Sequence, residues 1–192
     1  GITRINVCTY QAVSGTGKKA VDELAGQTLK LMNGNKAEHE VYPRQIAFNV
    51  IPQCDDFKDN GYTKEEMKMV WETQKIFEDN EILVNPTCVR VPVFYSHSEA
   101  VHIETRDKIT EEEATKLLEE APGVKVMDTR EDGGYPTPIG QGTDSDNVWV
   151  GRIRRDISHP NGLNLWIVSD NLRKGAALNS IQIAEVLIKD YI

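Results

Sequence analysis

Arg90 and His97 are the residues of this chain whose types and setting most suggest chemistry. They sit within "CVRVPVFYSHSEAVHIE", Cys88 to Glu104, a run of Val, Ile, Phe and Tyr that reads as a β-strand made for burial. A guanidinium can grip a carboxylate through two parallel hydrogen bonds, and an imidazole has an ordinary pKa suited to proton transfer near neutrality. Side chains alternate along a strand, so positions 90 and 97 point to opposite faces of an uninterrupted one. They share a pocket only if the strand bends, bulges or ends between them. "YSHS", where the apolar run gives way to serines, is the expected place. Alternation then resumes with Val101 and Ile103 as the apolar positions and His102 facing outward. A lone strand histidine is ordinary structure; one beside a break, with an arginine at hand, is a candidate site.

Other residues carry weaker signals. Cys88 shares a strand face with Arg90, a neighbour that favours thiolate, but a small buried strand residue has the same pattern. Cys8 and Cys54 have only their identity. No CxxC pair occurs among the three cysteines, so neither a zinc site nor a disulfide framework is indicated, and a reducing, cytoplasmic setting is expected. No metal site is expected. "AVSGTGKK" approaches a phosphate loop but has Ala12 where the first glycine belongs and Lys19 where Ser or Thr belongs. It leaves a Gly-rich turn before a helix N-terminus, where backbone N–H groups could meet an anion. Glu65 and Lys68 have the spacing of an ordinary solvated helix pair, which Glu72 and Lys75 repeat.

The elements that must position these groups follow from periodicity. Ile5 to Gln11 alternates and ends at "SGTG". Val21, Leu24, Ala25, Thr28, Leu31 and Met32 mark one face of a helix from Lys18 to Met32. "QIAFNVI" reads as a short strand. Thr63 with Glu66, and Thr110 with Glu113, are capping boxes that start helices from about Lys64 to Asp79 and to about Glu120. Met67, Val70, Trp71 and Phe77 are the buried side expected of the first. "GVKVMD" reads as a strand, which makes the strand–helix–strand order here a βαβ-type unit. Residues 129–146 have the composition of a long irregular loop. "NVWVGRIRRD" and "GLNLWIVSD" read as a hairpin whose arginines line an exposed edge or a subunit contact. The last helix carries Ala177, Ile181, Ala184 and Ile188 along one side. This order predicts an α+β fold: a mixed, largely antiparallel sheet with helices packed on one face.

The bulk properties exclude some functions. The 192 residues suit one compact domain with or without a small appendage. Thirty acidic against 22 basic residues give a net charge of -8, which argues against broad binding to nucleic acid or anionic membrane. No run of apolar residues is long enough to read as a transmembrane helix.

Taken together, "CTYQAVSGTG", "NGYTKEEMKMVWETQKI", "CVRVPVFYSHSEAV", "VGRIRRD" and "WIVSDNLRKGAALNSIQIAE" resemble the bacterial aspartate-β-semialdehyde dehydrogenase family, over nearly the whole chain and in the family's order. The resemblance implies NADPH-dependent conversion of L-aspartyl-β-phosphate to aspartate semialdehyde with release of phosphate, in lysine, diaminopimelate, methionine and threonine synthesis, by a homodimer. It implies roles for named residues: His97 as general acid/base, Arg90 as the carboxylate-binding group, Gln11 and Glu65 in the substrate site, and Lys68 on the phosphate. Ser14, Gly15 and Asn171 match NADP contacts. The chain departs from the family in lacking the "NCSTIQ"-like motif of the nucleophilic cysteine and any G-x-G-x-x-G. It is therefore expected to begin after the nucleophile, with residues 1–170 as the catalytic and dimerisation domain and 171–192 as a helix returning to an NADP-binding domain. Alone, it is expected to be inactive. A non-catalytic dimerisation module and an N-acetyl-glutamyl-phosphate reductase-like relative are the alternatives.

Overall fold

The computed structural model describes residues 1–192. Its strands are β1 (Ile2–Gln11), β2 (Leu83–Arg90), β3 (His97–Thr105), β4 (Val124–Val126), β5 (Val148–Arg155) and β6 (Gly162–Ser169). They form one six-stranded sheet in the order β2-β1-β3-β6-β5-β4. The pairs β1/β2 and β4/β5 are parallel and the rest antiparallel. The expected α+β class, with a mixed and largely antiparallel sheet, is what the chain adopts.

The helices are α1 (Lys18–Met32), α2 (Lys64–Phe77), α3 (Glu111–Glu120) and α4 (Leu178–Asp190). Both capping boxes form, Thr63 with Glu66 and Thr110 with Glu113, each cap contributing about 1 kcal/mol. The register places Thr9 beside Cys88, and Val7 beside Val101, which in turn lies beside Leu165. That face of the sheet is the one the helices cover. Met69 of α2 reaches Cys88, and Ala114 of α3 joins Val150, Ile153, Leu163 and Leu165 in one core. A second core lies under α1, built from Val13, Leu24, Ile46 and Ile51 among others.

Several expectations need correction. Cys88 to Glu104 is two strands rather than one: β2 stops at Arg90, the chain reverses through Val91–Ser96, and β3 starts at His97. "QIAFNVI" forms no strand. The side-chain amide of Gln27, buried within α1, accepts the backbone N–H groups of Ile46 and Ala47 at 2.9 and 3.0 Å. That satisfies backbone a neighbouring strand would otherwise pair. Phe48 then turns away at φ 60°, and Ile51 alone pairs, with Arg90. The buried side of α2 also differs. Trp71 and Phe77 are half-exposed, whereas Glu66 is buried. Helix α2 lies along edge strand β2, and Glu66 accepts the Cys88 N–H at 2.9 Å and the Thr63 N–H at 2.7 Å. A carboxylate is thus the contact that closes the sheet edge. In α1, Met32 was expected inward and is exposed.

Strand β4 is shorter than "GVKVMD", and α3 joins β3 to it across the width of β6 and β5. Of the two adjacent parallel pairs, β1/β2 is the one linked through α1 and α2. Residues 129–146 pack as a cover on the other sheet face. A Cβ on Gly142 would come within 2.7 Å of Val168 and 2.8 Å of Ser96, and Trp166 Nε1 donates to the Pro136 carbonyl at 3.0 Å. The β5/β6 hairpin forms, with a register shift between Gly151 and Arg154 where Arg152 adopts φ 54°. Helix α4 packs chiefly against the turn Arg173–Ala177 that precedes it. Its apolar side is open: Ile181 and Ile188 are exposed.

Candidate active site

The site forms at the end of β1, where β2 and β3 flank it. Gln11 is in register with Arg90 on the β2 side. On the other side Tyr10 faces Ser98, which brings His97 level with Gln11. Residues 91–96 loop over the end of β1 and are tied down by backbone bonds: Val91 N–H to Gln11 O at 3.0 Å, Val13 N–H to Val93 O at 2.9 Å, and Ser14 N–H to Phe94 O at 3.1 Å. The loop ends at buried Ser96, which adopts φ 71°, a left-handed conformation that costs a non-glycine residue free energy.

Arg90 and His97 meet over Gly15. A Cβ on Gly15 would lie 3.2 Å from Arg90 Nη1, 3.3 Å from His97 Cε1 and 3.4 Å from His97 Nε2. Only glycine leaves both groups unhindered there. The break proposed from strand parity exists, and it removes the parity problem by placing the two residues on different strands.

Arg90 is 7% exposed and has no carboxylate partner. Its Nη1 donates to the Ala12 carbonyl at 2.7 Å, its guanidinium carbon lies 6.0 Å from the centre of the Tyr42 ring, and its buried Nε has no partner. Tyr42 is held by its hydroxyl, 3.0 Å from Thr16 Oγ1, and by its N–H on Glu23. A buried cation with an unused donor is costly by itself and well suited to an incoming anion.

His97 Nδ1 accepts the Ala12 N–H at 3.1 Å. A backbone amide can only donate, so the neutral ring carries its proton on Nε2, the nitrogen beside Gly15. Burial, followed by the Arg90 guanidinium, pushes its pKa down to about 4; Glu65 acts in the opposite sense. The ring rests neutral, a donor at Nε2.

Gln11 is buried, and its side-chain amide has no hydrogen-bond partner within the chain. Glu65 and Lys68 form a 3.0 Å ion pair on the rim, and Lys68 is raised above its ordinary pKa chiefly by that bond. Lys68 bonds to neither Arg90 nor His97, and its partner Glu65 acts on His97 electrostatically. Ser14 and Asn171 are paired side chain to side chain at 3.1 Å, and Asn171 Oδ1 accepts the Ser96 N–H at 2.9 Å.

The thiolate reading of Cys88 fails. Burial pushes its thiol up to about 12 and that of Cys54 up to about 11. Desolvation of the charged form outweighs the Thr9 hydrogen bond at Cys88 and the Arg90 guanidinium at Cys54. No group of three or more His, Cys, Asp or Glu is placed to hold a metal.

Sequence reasoning missed Tyr42, the platform beneath Arg90, because "VYPR" carries no pattern that marks it. It also missed Asp170, whose Oδ1 accepts the N–H groups of Leu172 and Arg173 at 2.8 and 2.9 Å and whose Oδ2 accepts that of Asp144 at 2.9 Å. An aspartate directly after a strand was a usable signal for such a turn.

Residues 1–174 match the family model described as semialdehyde dehydrogenase, dimerisation domain. The chain is 63% identical over 191 residues to an aspartate-semialdehyde dehydrogenase of Shewanella violacea, covering 100% of this chain and 56% of that protein. It superposes with TM-score 0.96 on Vibrio cholerae aspartate semialdehyde dehydrogenase II complexed with ASA, at 60% identity, covering 100% of this chain and 56% of that one. A Candida albicans aspartate semialdehyde dehydrogenase with NADP matches at TM-score 0.69 and 25% identity, over 98% of this chain and 51% of that one. The chain thus spans a little over half the length of the relatives it matches.

Proposed function

The chain belongs to the semialdehyde dehydrogenase dimerisation-domain family, and from that premise we propose that it supplies the substrate pocket and proton-handling residue of an NADPH-dependent aspartate-semialdehyde dehydrogenase. The reaction converts L-aspartyl-β-phosphate and NADPH, with a proton, to aspartate semialdehyde, phosphate and NADP⁺, a step of lysine, diaminopimelate, methionine and threonine synthesis. One observation carries the reading. Arg90 is a buried guanidinium with a free donor, side by side with a neutral imidazole that points its proton into the same cleft.

In this reading Arg90 binds the substrate's α-carboxylate, with Gln11 supplying a further hydrogen bond from its unused amide. Glu65 and Lys68 form the rim, where Lys68 meets the phosphate. His97 works through Nε2, donating to the sulfur or oxygen that bears negative charge and exchanging protons with it as general acid/base. The nucleophile is a cysteine thiolate that these residues do not include, since Cys54 and Cys88 are buried as neutral thiols and Cys8 lies among the alternate residues of β1, on the sheet face away from Gln11. Attack on the acyl phosphate breaks the C–O bond to phosphate and forms a thioester.

NADPH, when bound, supplies the hydride that reduces the acyl group. Ser14, Gly15 and Asn171 fit one edge of its site: a hydroxyl and an amide hydrogen beside a glycine that leaves the His97 side open. A cytoplasmic setting agrees with three free cysteines, and no helix is long and apolar enough to cross a membrane.

The test is a chimera in which this chain replaces the matching segment of the Vibrio cholerae relative. It should reduce aspartyl phosphate with NADPH, and the isolated chain should show no turnover. A folded chimera without activity, or an active isolated chain, would overturn the proposal.

A second reading, self-association, rests on the sheet face opposite the helices. Asn6, Cys8, Tyr10, Ala100, His102, Asn164 and Trp166 lie there by register, with none of α1–α4 against them and residues 129–146 reaching that face at Trp166. That face is the contact we assign to a homodimer, in keeping with the description of the family.

A further inference from the structure

We infer that Asn171 is a positioning residue for His97, acting through the backbone of Ser96. The inference rests on the reading of His97 as the proton-handling group of the site.

His97 is the first residue of β3, and its direction is set by the residue before it. Ser96 is fully buried and left-handed, a conformation that persists in a non-glycine residue only where its surroundings hold it. Three contacts do so. Its N–H donates to Asn171 Oδ1 at 2.9 Å, its hydroxyl lies 3.2 Å from Thr143 Oγ1, and Gly142 packs so closely that a Cβ there would sit 2.8 Å from Ser96 Cβ. The Asn171 bond is the one made to the backbone whose torsion is strained.

Asn171 is itself fixed from both sides. Ser14 Oγ lies 3.1 Å from its Nδ2 and 3.2 Å from its Oδ1. Asp170 anchors the preceding position by accepting three backbone N–H groups. Ser14 belongs to the same turn as Ala12, whose N–H holds His97 Nδ1. The amide of Asn171 therefore joins both segments that orient the imidazole: the Ser96 turn that carries the ring, and the 12–16 turn that holds Nδ1. Remove it, and the left-handed turn loses its backbone partner and the two segments are free to separate. One Nδ2 hydrogen remains unused, so a ligand that engages it would load the same turn.

The experiment uses the 192-residue chain with its four histidines observed by nitrogen-edited NMR. Asn171→Leu should speed exchange of the Ser96 amide by about tenfold or more. It should also convert His97 from one tautomer, protonated at Nε2, to a mixture, with its titration moving up toward the ordinary histidine range. The ring signals of His39, His102 and His159 should be unmoved by the substitution. Asn171→Asp keeps an acceptor for the Ser96 N–H and should restore both the amide protection and the single tautomer. A folded Asn171→Leu chain with the His97 tautomer and titration unchanged would overturn the inference, as would equal disturbance of all four histidines. If Asn171→Leu does not fold, Ser14→Ala, which frees the amide of Asn171, reads the same coupling with the same two outcomes. Failure of the acid/base reading is separable. It would appear as full turnover of a His97→Gln chimera, with the Asn171 effect on the ring still present.

Discussion

Arg90 and His97 flank opposite sides of one strand, β1, and come together over Gly15, where a single added carbon would lie 3.2 Å from one and 3.3 Å from the other. The arginine ends the parallel neighbour of β1 and the histidine begins its antiparallel neighbour. Burial, reinforced by the close guanidinium, keeps the imidazole neutral, and the glycine leaves room for the two groups to meet.

Gly15→Ala should therefore displace one of the two groups. We expect kcat/KM of the chimera to fall by tenfold or more, corresponding to about 1.4 kcal/mol of transition-state stabilisation. Gly26→Ala is the control. It lies within α1 with open space around its added Cβ and should stabilise the chain by about 0.5–1 kcal/mol in urea unfolding.

Arg90→Lys keeps the charge but loses the planar fork. KM for aspartate semialdehyde should rise by at least tenfold in the reverse, phosphate-dependent assay, with a smaller change in kcat. An unchanged KM would remove Arg90 from the carboxylate role.

His97 titrates near 4 in the folded chain against 6.5 ordinarily. The unfolded chain therefore binds the extra proton between those values. Stability from this residue is full above pH 6.5 and is lost as the pH falls through 6.5 toward 4. Compared with His97→Gln, the wild-type chain should lose on the order of 3 kcal/mol more across that window in denaturant titrations. Parallel curves for the two chains would contradict the buried neutral ring.

Cys54 and Cys88 are nearly without thiolate at pH 8; for a thiol at about 12 the fraction is roughly one in ten thousand. A disulfide reagent should modify the partly exposed Cys8 within minutes and the buried pair only on unfolding. Fast modification of Cys88 in the native chain would reopen its candidacy as a nucleophile.

Ala100 lies in register with Cys8 and Trp166 on the sheet face opposite α1–α4. Ala100→Glu places an unpaired charge there and should weaken self-association by tenfold or more in sedimentation equilibrium. Unchanged association would move the contact elsewhere on the molecule.

Much of this was legible in the sequence because it is local. Helix starts at Thr63 and Thr110 depend on groups three residues apart, α1 spans the very residues its periodicity marks, and the break before His97 shows in "YSHS". What stayed illegible depends on partners distant along the chain. Gln27 replaces a strand partner for Ile46 and Ala47, Glu66 turns α2 onto a sheet edge and leaves Trp71 outside, and Tyr42 lies beneath Arg90 from a loop without pattern. Residue types and their order determined which chemistry was available. Whether Arg90 and His97 share a cleft was decided by the sheet, because only the insertion of β1 between their strands places residues of odd spacing on one face.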